Sequence, residues 1–164
     1  MSMNSALSRH PTHPGPYSCE VRLDMLATIS PAVLRQPETL CWRRTFPGSA
    51  EQAGAVRRFV ACLLGDGCPR LDDVLLAADE LVGNALRHTK SGQQGGSITV
   101  QLRLDADGVT VSVADQGGPS EPAAREAADL DESGRGLRTV ALLATSWGWH
   151  GNDRGRTVSA VFER

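Results

Sequence analysis

The stretch ELVGNALRH, residues 80–88, lies in a segment between Arg70 and Thr89 whose apolar residues recur at i, i+3, i+4 and i+7. These are Leu71, Val74, Leu75, Ala78, Val82, Ala85 and Leu86. The spacing predicts an amphipathic helix. At about 100° per residue, Glu80, Asn84 and His88 lie together on the side opposite the apolar stripe. Asn and Gly both weaken a helix relative to Ala. This polar side is therefore either a solvated face or a face that binds something.

Two elements are predicted before this helix. Residues 40–46 (LCWRRTF) alternate well enough to indicate a strand, which ends at Pro47-Gly48. An apolar stripe between residues 53 and 63 indicates a first helix, with Ser49 as its N-cap. The Gly-Asp-Gly run at residues 65–67 ends that helix.

Three further elements follow the central helix. Residues 98–104 and 109–113 alternate apolar and polar side chains around an Asp-Gly turn, which predicts a β-hairpin. A helix begins at Gly134, and a second hairpin covers residues 146–150 and 156–162. Strands and helices in this order predict an α+β fold, with a sheet that carries helices on one face.

The chain divides into two parts of different composition. Residues 1–38 contain the stretch HPTHP at residues 10–14, which cannot be helical, and are interpreted as a poorly ordered N-terminal extension. Residues 39–164 form one domain. The length of 164 residues suits one such domain with a hydrophobic core.

Composition excludes several classes of function. The net charge of −2 argues against direct binding to nucleic acid. There is no secretory segment and no long apolar run, so we expect no membrane contact, a cytoplasmic location and reduced thiols. The four cysteines have no C-x-x-C spacing, which makes zinc an improbable ligand.

Two other segments carry candidate ligand-binding residues. Asp115 ends a strand of alternating valines and precedes Gln-Gly-Gly-Pro. A carboxylate there is either a turn residue or an acceptor for an exocyclic amine such as that of adenine. The run Ser133-Gly-Arg-Gly-Leu137 opens a helix, and its glycines would let backbone N–H groups bind a phosphate. The alternative is a capped flexible joint. It matches neither the P-loop nor the Rossmann pattern.

Taken together and in order, these segments resemble the GHKL ATPase superfamily. The matching residues are Glu80-x-x-x-Asn84-Ala85-x-Arg87-His88, Asp115-x-Gly117, Gly134-Arg135-Gly136-Leu137 and Gly155-Arg156-Thr157. Within that superfamily the chain looks most like the small anti-sigma factor serine kinases. The resemblance covers residues 40–164 and implies the Bergerat fold: a two-layer α/β sandwich with a mixed, mainly antiparallel sheet and helices on one face.

The resemblance also implies a role for each matching residue. Asn84 would coordinate Mg²⁺ that bridges the phosphates of ATP, and Glu80 would act as general base. Arg87 and His88 would lie near the phosphates or the lid. Asp115 would bind the adenine amino group, with Gly117 leaving space and Thr157 supporting the contact. The phosphates would be held by the segment Gly134, Arg135, Gly136 and Leu137, and residues 119–133 would form the ATP lid.

The function implied by the resemblance is that of a serine/threonine protein kinase. Its substrate would be an anti-anti-sigma protein of the STAS type. The unphosphorylated kinase would sequester a sigma factor, so that transcription is regulated by partner switching. Homodimerisation, common among the resembling kinases, is expected too. The alternative is a binding module that uses ATP only to set the conformation that binds its partner.

Overall fold

The computed structural model describes residues 39–119, 121–123 and 135–164. Its helices and strands follow the order expected from the sequence. They are β1 (Leu40–Pro47), α1 (Ala53–Leu64), α2 (Leu71–His88), β2 (Ser97–Leu104), β3 (Gly108–Asp115), α3 (Arg135–Leu143), β4 (Ser146–Asn152) and β5 (Gly155–Glu163), with 3₁₀ turns at Ala50–Gln52 and Lys90–Gly92. The N-terminal extension and most of the expected lid lie outside the described residues.

The start of the first helix differs from the expectation. A 3₁₀ turn at Ala50–Gln52 precedes α1, and the side chain of Ser49 makes no capping hydrogen bond. Ser49 is therefore not the N-cap of α1. The hydroxyl instead hydrogen-bonds the Glu51 carboxylate and lowers the pKa of that group. The predicted end is confirmed, because Gly65 adopts a left-handed φ of 66° directly after α1.

The strands form a single sheet in the order β1-β2-β3-β5-β4. All pairings between the described strands are antiparallel, so the expected mixed character is not seen in this part of the chain. The last strand, β5, lies between β3 and β4 and pairs Asp115 of β3 with its own Arg156. This register sets which residues of β5 stand beside the end of β3.

The helices cover one face of the sheet and enclose the core. Its buried apolar residues are Val56, Val60, Val74, Ala77, Ala78, Leu81, Val82, Ala85, Leu137 and Val140 from the helices and Phe46, Ile98, Val100, Leu102, Val109, Val111, Val113, Val158, Ala160 and Phe162 from the strands. Trp147 and Trp149 on β4 are partly buried and pack against this core. The fold is thus the expected two-layer α/β sandwich.

The other face of the sheet carries polar side chains. Hydroxyl pairs link neighbouring strands across it, with Thr45 Oγ1 2.9 Å from Thr99 Oγ1 and Ser112 Oγ 2.8 Å from Ser159 Oγ. Alternation of polar and apolar residues along antiparallel strands produces this division into a buried and a polar face. We call the polar face, which the helices do not cover, the open face.

Two expectations from composition can be compared with the structure. Cys41 and Cys68 carry free thiols, whereas Cys62 is disulfide-bonded, so the expectation of reduced thiols is wrong for Cys62. Among the described residues, none of the helices combines the length and apolar character needed to span a bilayer.

Candidate functional site

A cavity lies between α2, the end of β3, the start of β5 and the first turn of α3. Its wall is formed by Leu81, Asn84, Ala85, His88, Thr89, Val113, Asp115, Glu121, Pro122, Ala123, Leu137, Arg156 and Val158. Just over half of these side chains are apolar, and the polar ones come from α2, from the end of β3, from the start of β5 and from connecting segments. This composition is typical of a small-molecule site.

One side of α2 forms the part of the cavity wall that belongs to the helical layer. Leu81, Asn84, Ala85 and His88 recur at i, i+3, i+4 and i+7, so they share one strip of the helix surface. The helix ends just beyond them because the Thr89 hydroxyl donates to the Ala85 carbonyl at 2.6 Å. Asn84 and His88 therefore face the cavity, as expected from the sequence.

Glu80 lies one turn before Asn84 but is not part of this wall. A Cβ atom added to Gly136 would lie 2.5 Å from Glu80 Oε2, so the carboxylate rests directly on the first turn of α3. That turn carries the positive end of the helix dipole, which favours a nearby carboxylate. In this structure Glu80 and Gly136 contact each other, and the absence of a side chain at Gly136 makes that contact possible.

Asp115 stands across the cavity from α2, at the end of β3. Its Oδ1 accepts a hydrogen bond of 2.6 Å from the backbone N–H of Gly117. Burial raises the pKa of the Asp115 carboxyl, while the Gly117 N–H, the charge of Arg156 and the Arg156 backbone N–H lower it. The carboxylate is thus half-buried and already oriented by the backbone, which suits it to accept a hydrogen bond from a ligand.

The two glycines after Asp115 allow close contacts between backbone segments. Gly117 has a left-handed φ of 72°, and a Cβ there would lie 2.3 Å from the Asp153 carbonyl oxygen in the β4–β5 turn. A Cβ at Gly118 would lie 2.4 Å from the carbonyl oxygen of His88, at the end of α2. The loop that follows Asp115 is therefore held between the second hairpin and α2.

Thr157 does not lie where the resemblance led us to expect it. It lines the open face together with Thr99 and His150, whereas Arg156 lines the cavity. Side chains alternate along a strand, and Val158, two residues beyond Arg156, faces the core. Thr157 therefore does not line the cavity in which it was expected to support the adenine contact, and Arg156 lies beside Asp115 instead.

The glycine-rich segment is described only in part. Gly134 lies outside the described residues. Arg135 is exposed at the start of α3, and Leu137 is buried and lines the cavity. Gly136 contacts Glu80, and Leu137 lines the same cavity as Asn84 and His88. The start of α3 therefore lies beside the α2 residues that are expected to bind Mg²⁺ and ATP.

Arg87 lies at the edge of this region. Its side chain is exposed and folds back over Gly83, where an added Cβ would be 3.2 Å from Arg87 Nη2. It does not line the cavity. Of the expected lid, residues 121–123 do line it.

Arg156 is the main cavity residue that the sequence analysis did not single out. A signal was present: residues 156, 158, 160 and 162 share one side of β5, and the last three are apolar. The period-two alternation along β5 therefore predicts that Arg156 faces the helices and that Thr157 faces away from them.

The site combines apolar walls with a carboxylate acceptor and a separate amide. Leu81, Val113 and Leu137 can contact the faces of a flat heterocycle, and Asp115 can accept a hydrogen bond from its amino group. Asn84 offers an amide oxygen, a ligand type that suits Mg²⁺ held mainly by substrate phosphates. The residues present therefore fit both adenine and a phosphate-bound magnesium ion.

Comparison with known proteins agrees with this geometry. Residues 46–162 match the family model for the histidine kinase-like ATPase domain. The chain belongs to this family. Membership in this ATPase-domain family implies that the chain binds ATP.

A solved structure shares the fold. The RsbU and RsbW domains of Rv1364c from Mycobacterium tuberculosis superpose with a TM-score of 0.59 at 22% identity. The match covers 76% of the present chain and 32% of the solved chain. The present chain thus spans about a third of the length of the solved protein. No curated protein matches the chain.

Proposed function

We propose that this chain binds ATP together with Mg²⁺ and phosphorylates a serine or threonine of a separate regulatory protein. The observation that carries the proposal is the cavity itself, which brings Asn84 of α2 opposite Asp115 of β3. These residues are far apart in the sequence and supply the two kinds of group that nucleotide binding requires: a hydrogen-bond acceptor for the base and a hard oxygen ligand near the phosphates.

Magnesium, when bound, would neutralise charge on the phosphates of ATP. Asn84 would hold it through the amide oxygen. His88 and Arg87 lie further along the same helix, where they can contact phosphate or lid residues. Asp115 would fix the adenine base and so set the position of the phosphates along α2. Positioning and charge neutralisation account for most of the catalysis in phosphoryl transfer.

Glu80 would serve as the general base of the transfer. Its carboxylate would accept the proton of the acceptor hydroxyl as that oxygen forms a bond to the γ-phosphorus. The bond between the γ-phosphorus and the oxygen bridging to the β-phosphate breaks, and ADP leaves. Glu80 is one helical turn from Asn84, so both residues can serve one phosphate group.

The proposed substrate is an anti-anti-sigma protein of the STAS type, whose phosphorylation controls the release of a sigma factor. Support comes from the resemblance to anti-sigma factor kinases and from the shared fold with a chain that contains an RsbW domain. A cytoplasmic location and a homodimer belong to the same proposal.

A second candidate is a binding module that holds ATP without transferring phosphate. One observation favours it: the Glu80 carboxylate rests on Gly136 and does not line the cavity. If this contact persists with nucleotide bound, Glu80 cannot reach an acceptor hydroxyl. The two candidates agree on nucleotide binding and differ on catalysis.

The test uses the full chain with γ-labelled ATP and Mg²⁺, first alone and then with an extract of the native host. Glu80→Gln removes the base but keeps the size of the side chain, and Asn84→Ala removes the magnesium ligand. The kinase proposal expects label on a serine or threonine of a small STAS-type protein with the wild type. It expects no label with either variant, although Glu80→Gln still binds ATP.

The possible outcomes distinguish the two candidates. Equal labelling by the wild type and Glu80→Gln would remove Glu80 from the role of base. ATP binding without any labelled protein, together with ATP-dependent capture of a partner, would establish the binding module. Absence of ATP binding by the wild type would reject both candidates.

A further inference from the structure

Arg156 is a buried cation in the wall of the cavity. Only 6% of the residue surface is exposed. Arginine is rarely buried to this extent unless its charge is compensated, because taking a guanidinium out of water is costly. The position on β5 is also one that an apolar residue could fill, since Val158 and Ala160 continue the same side of the strand. A specific role would explain the cost.

The contacts of Arg156 hold its guanidinium in one place. Nη2 donates to the carbonyl oxygen of Gly118, in the loop that follows β3. The guanidinium carbon lies 5.7 Å from the centre of the Trp149 ring, within the range of a cation–π contact. The guanidinium therefore contacts both β4 and the loop after β3 in the ligand-free structure.

Asp115 and Arg156 carry opposite charges and lie beside each other in the cavity wall. They are directly paired residues of β3 and β5, and both line the cavity. The positive charge of Arg156 acts on the Asp115 carboxylate. An ionised carboxylate only accepts hydrogen bonds, and a guanidinium only donates them. The sheet side of the cavity wall thus presents an acceptor next to a donor, and neither group can exchange its role.

We propose that Arg156 is a specificity-determining residue, which donates a hydrogen bond to N1 of adenine while Asp115 accepts one from the neighbouring amino group. The inference rests on the proposed ATP binding and adds to it a residue that selects the base. Adenine carries a donor amino group directly beside the acceptor N1, which complements the Asp115–Arg156 pair. Cavity walls of Leu81 and Val113 can contact the ring faces at the same time.

The same pair would reject guanine in this orientation. Guanine has a carbonyl oxygen where adenine has its amino group, and that oxygen would face the Asp115 carboxylate. It also has an N1–H where adenine has an acceptor, and this donor would face the Arg156 guanidinium. Buried polar groups left opposed in this way discriminate strongly between related substrates.

A purely structural role for Arg156 makes a different prediction. If the guanidinium only ties β5 to Gly118 and Trp149, its loss weakens binding of every nucleotide by the same factor. If it contacts N1, its loss removes the preference for a base that has an acceptor at that position. A nucleotide that differs from ATP at N1 alone therefore separates the two roles.

The experiment measures dissociation constants of ATP and 1-deaza-ATP, in which N1 is replaced by C–H, by calorimetry at neutral pH. The proteins are the full-length wild type, Arg156→Met, and Ser159→Ala as a control on the open face of the same strand. Methionine keeps an unbranched side chain that can pack on Trp149. We expect the wild type and Ser159→Ala to bind 1-deaza-ATP roughly ten- to hundredfold more weakly than ATP, as for loss of a hydrogen bond to a charged group. For Arg156→Met we expect that ratio to fall to about one.

The outcomes separate this inference from the function on which it rests. Equal affinity of the wild type for ATP and 1-deaza-ATP would overturn the N1 contact, even if Arg156→Met did not fold. An unchanged ratio in a folded Arg156→Met would also overturn it, because another group would then contact N1. Failure of the wild type to bind ATP at all would instead reject the proposed function.

Discussion

At the scale of the residue, Asp115 shows a conflict between stability and binding. Burial favours the neutral carboxyl, whereas a nucleotide base needs the ionised acceptor. The pKa of Asp115 is raised in the folded protein, so the folded state binds its proton more tightly than the unfolded state does. Ionisation of Asp115 therefore costs stability, and this cost appears as the pH rises through the pKa of the folded state.

Asp115→Asn is expected to separate these two effects. The amide oxygen can still accept from Gly117, so the variant should be at least as stable as the wild type at neutral pH. It should bind ATP at least tenfold more weakly, because the charged acceptor is lost. On acidification the wild type should gain stability relative to the variant and lose affinity for ATP. Thermal unfolding and calorimetry between pH 4 and pH 8 measure both.

The pH dependence provides the control for this prediction. ATP affinity of Asp115→Asn should change little across the range where the wild type loses its own. A parallel loss in both proteins would assign the pH dependence to another group, such as the phosphates of ATP. A variant much less stable than the wild type at neutral pH would show that Asp115 is needed chiefly for folding.

At the scale of the element, two glycines bring secondary structures together in different ways. Gly118 lets the loop after β3 lie against the backbone of α2 at His88. Gly136 lets the first turn of α3 lie against the side chain of Glu80 on the same helix. The neighbour is rigid in the first case and the end of a flexible side chain in the second. Adding a methyl group at each position should therefore have different consequences.

Gly118→Ala should destabilise the fold by about 1–3 kcal/mol, because the backbone itself must move. It should also weaken ATP binding, since the loop holds both Asp115 and Arg156 in place. Gly136→Ala should change stability by less than about 1 kcal/mol, because Glu80 can rotate away. It should keep ATP affinity and raise phosphate transfer, because it removes the contact that holds Glu80 outside the cavity wall. Chemical denaturation, calorimetry and labelled-phosphate transfer give the three quantities.

The contrast between the variants tests the role of α3. A larger loss of ATP affinity in Gly136→Ala than in Gly118→Ala would show that Gly136 contacts the phosphates directly, as the resemblance implies. Unchanged phosphate transfer in Gly136→Ala would show that its contact with Glu80 has no part in the reaction.

At the scale of the whole molecule, the site joins elements that are distant in the chain. The cavity is lined by α2, β3, β5 and α3, all of which contribute to one core. A ligand that bridges these elements binds only the folded state and must stabilise it by mass action. Stability measurements can therefore report binding without any knowledge of the partner protein.

Mg²⁺-ATP at about 100 times its dissociation constant should stabilise the wild type by about 2.7 kcal/mol. For a chain of this size the corresponding rise in Tm is about 5–10 °C. Asn84→Ala should lose most of this rise while the nucleotide-free protein keeps its Tm, because alanine is the better helix former. ATP with a chelator, added to the wild type, should likewise give a reduced shift. An equal shift in the wild type and Asn84→Ala would exclude Asn84 as the magnesium ligand.

The sequence by itself determined the elements and the two-layer architecture. For α2 it grouped Glu80 with Asn84 and His88, whereas the structure groups Asn84 and His88 with Leu81 and Ala85. Helical and strand periodicities are local properties, and they placed Asn84 and His88 on one side of α2 correctly. The family resemblance could also be found from the sequence alone, because the motifs follow one another along the chain in the order typical of the family. The boundary at residues 38 and 39 stays a prediction, as do the roles of the site residues.

Only the tertiary structure decided which side chains meet. The register of β3 and β5 places Arg156, and not Thr157, beside Asp115. The packing of α3 on α2 turns Glu80 toward Gly136 and leaves it outside the cavity wall. The physical reason is the same in both cases. A strand or helix presents every residue to some neighbour, but the identity of that neighbour depends on strand pairing and helix packing between segments far apart in the chain.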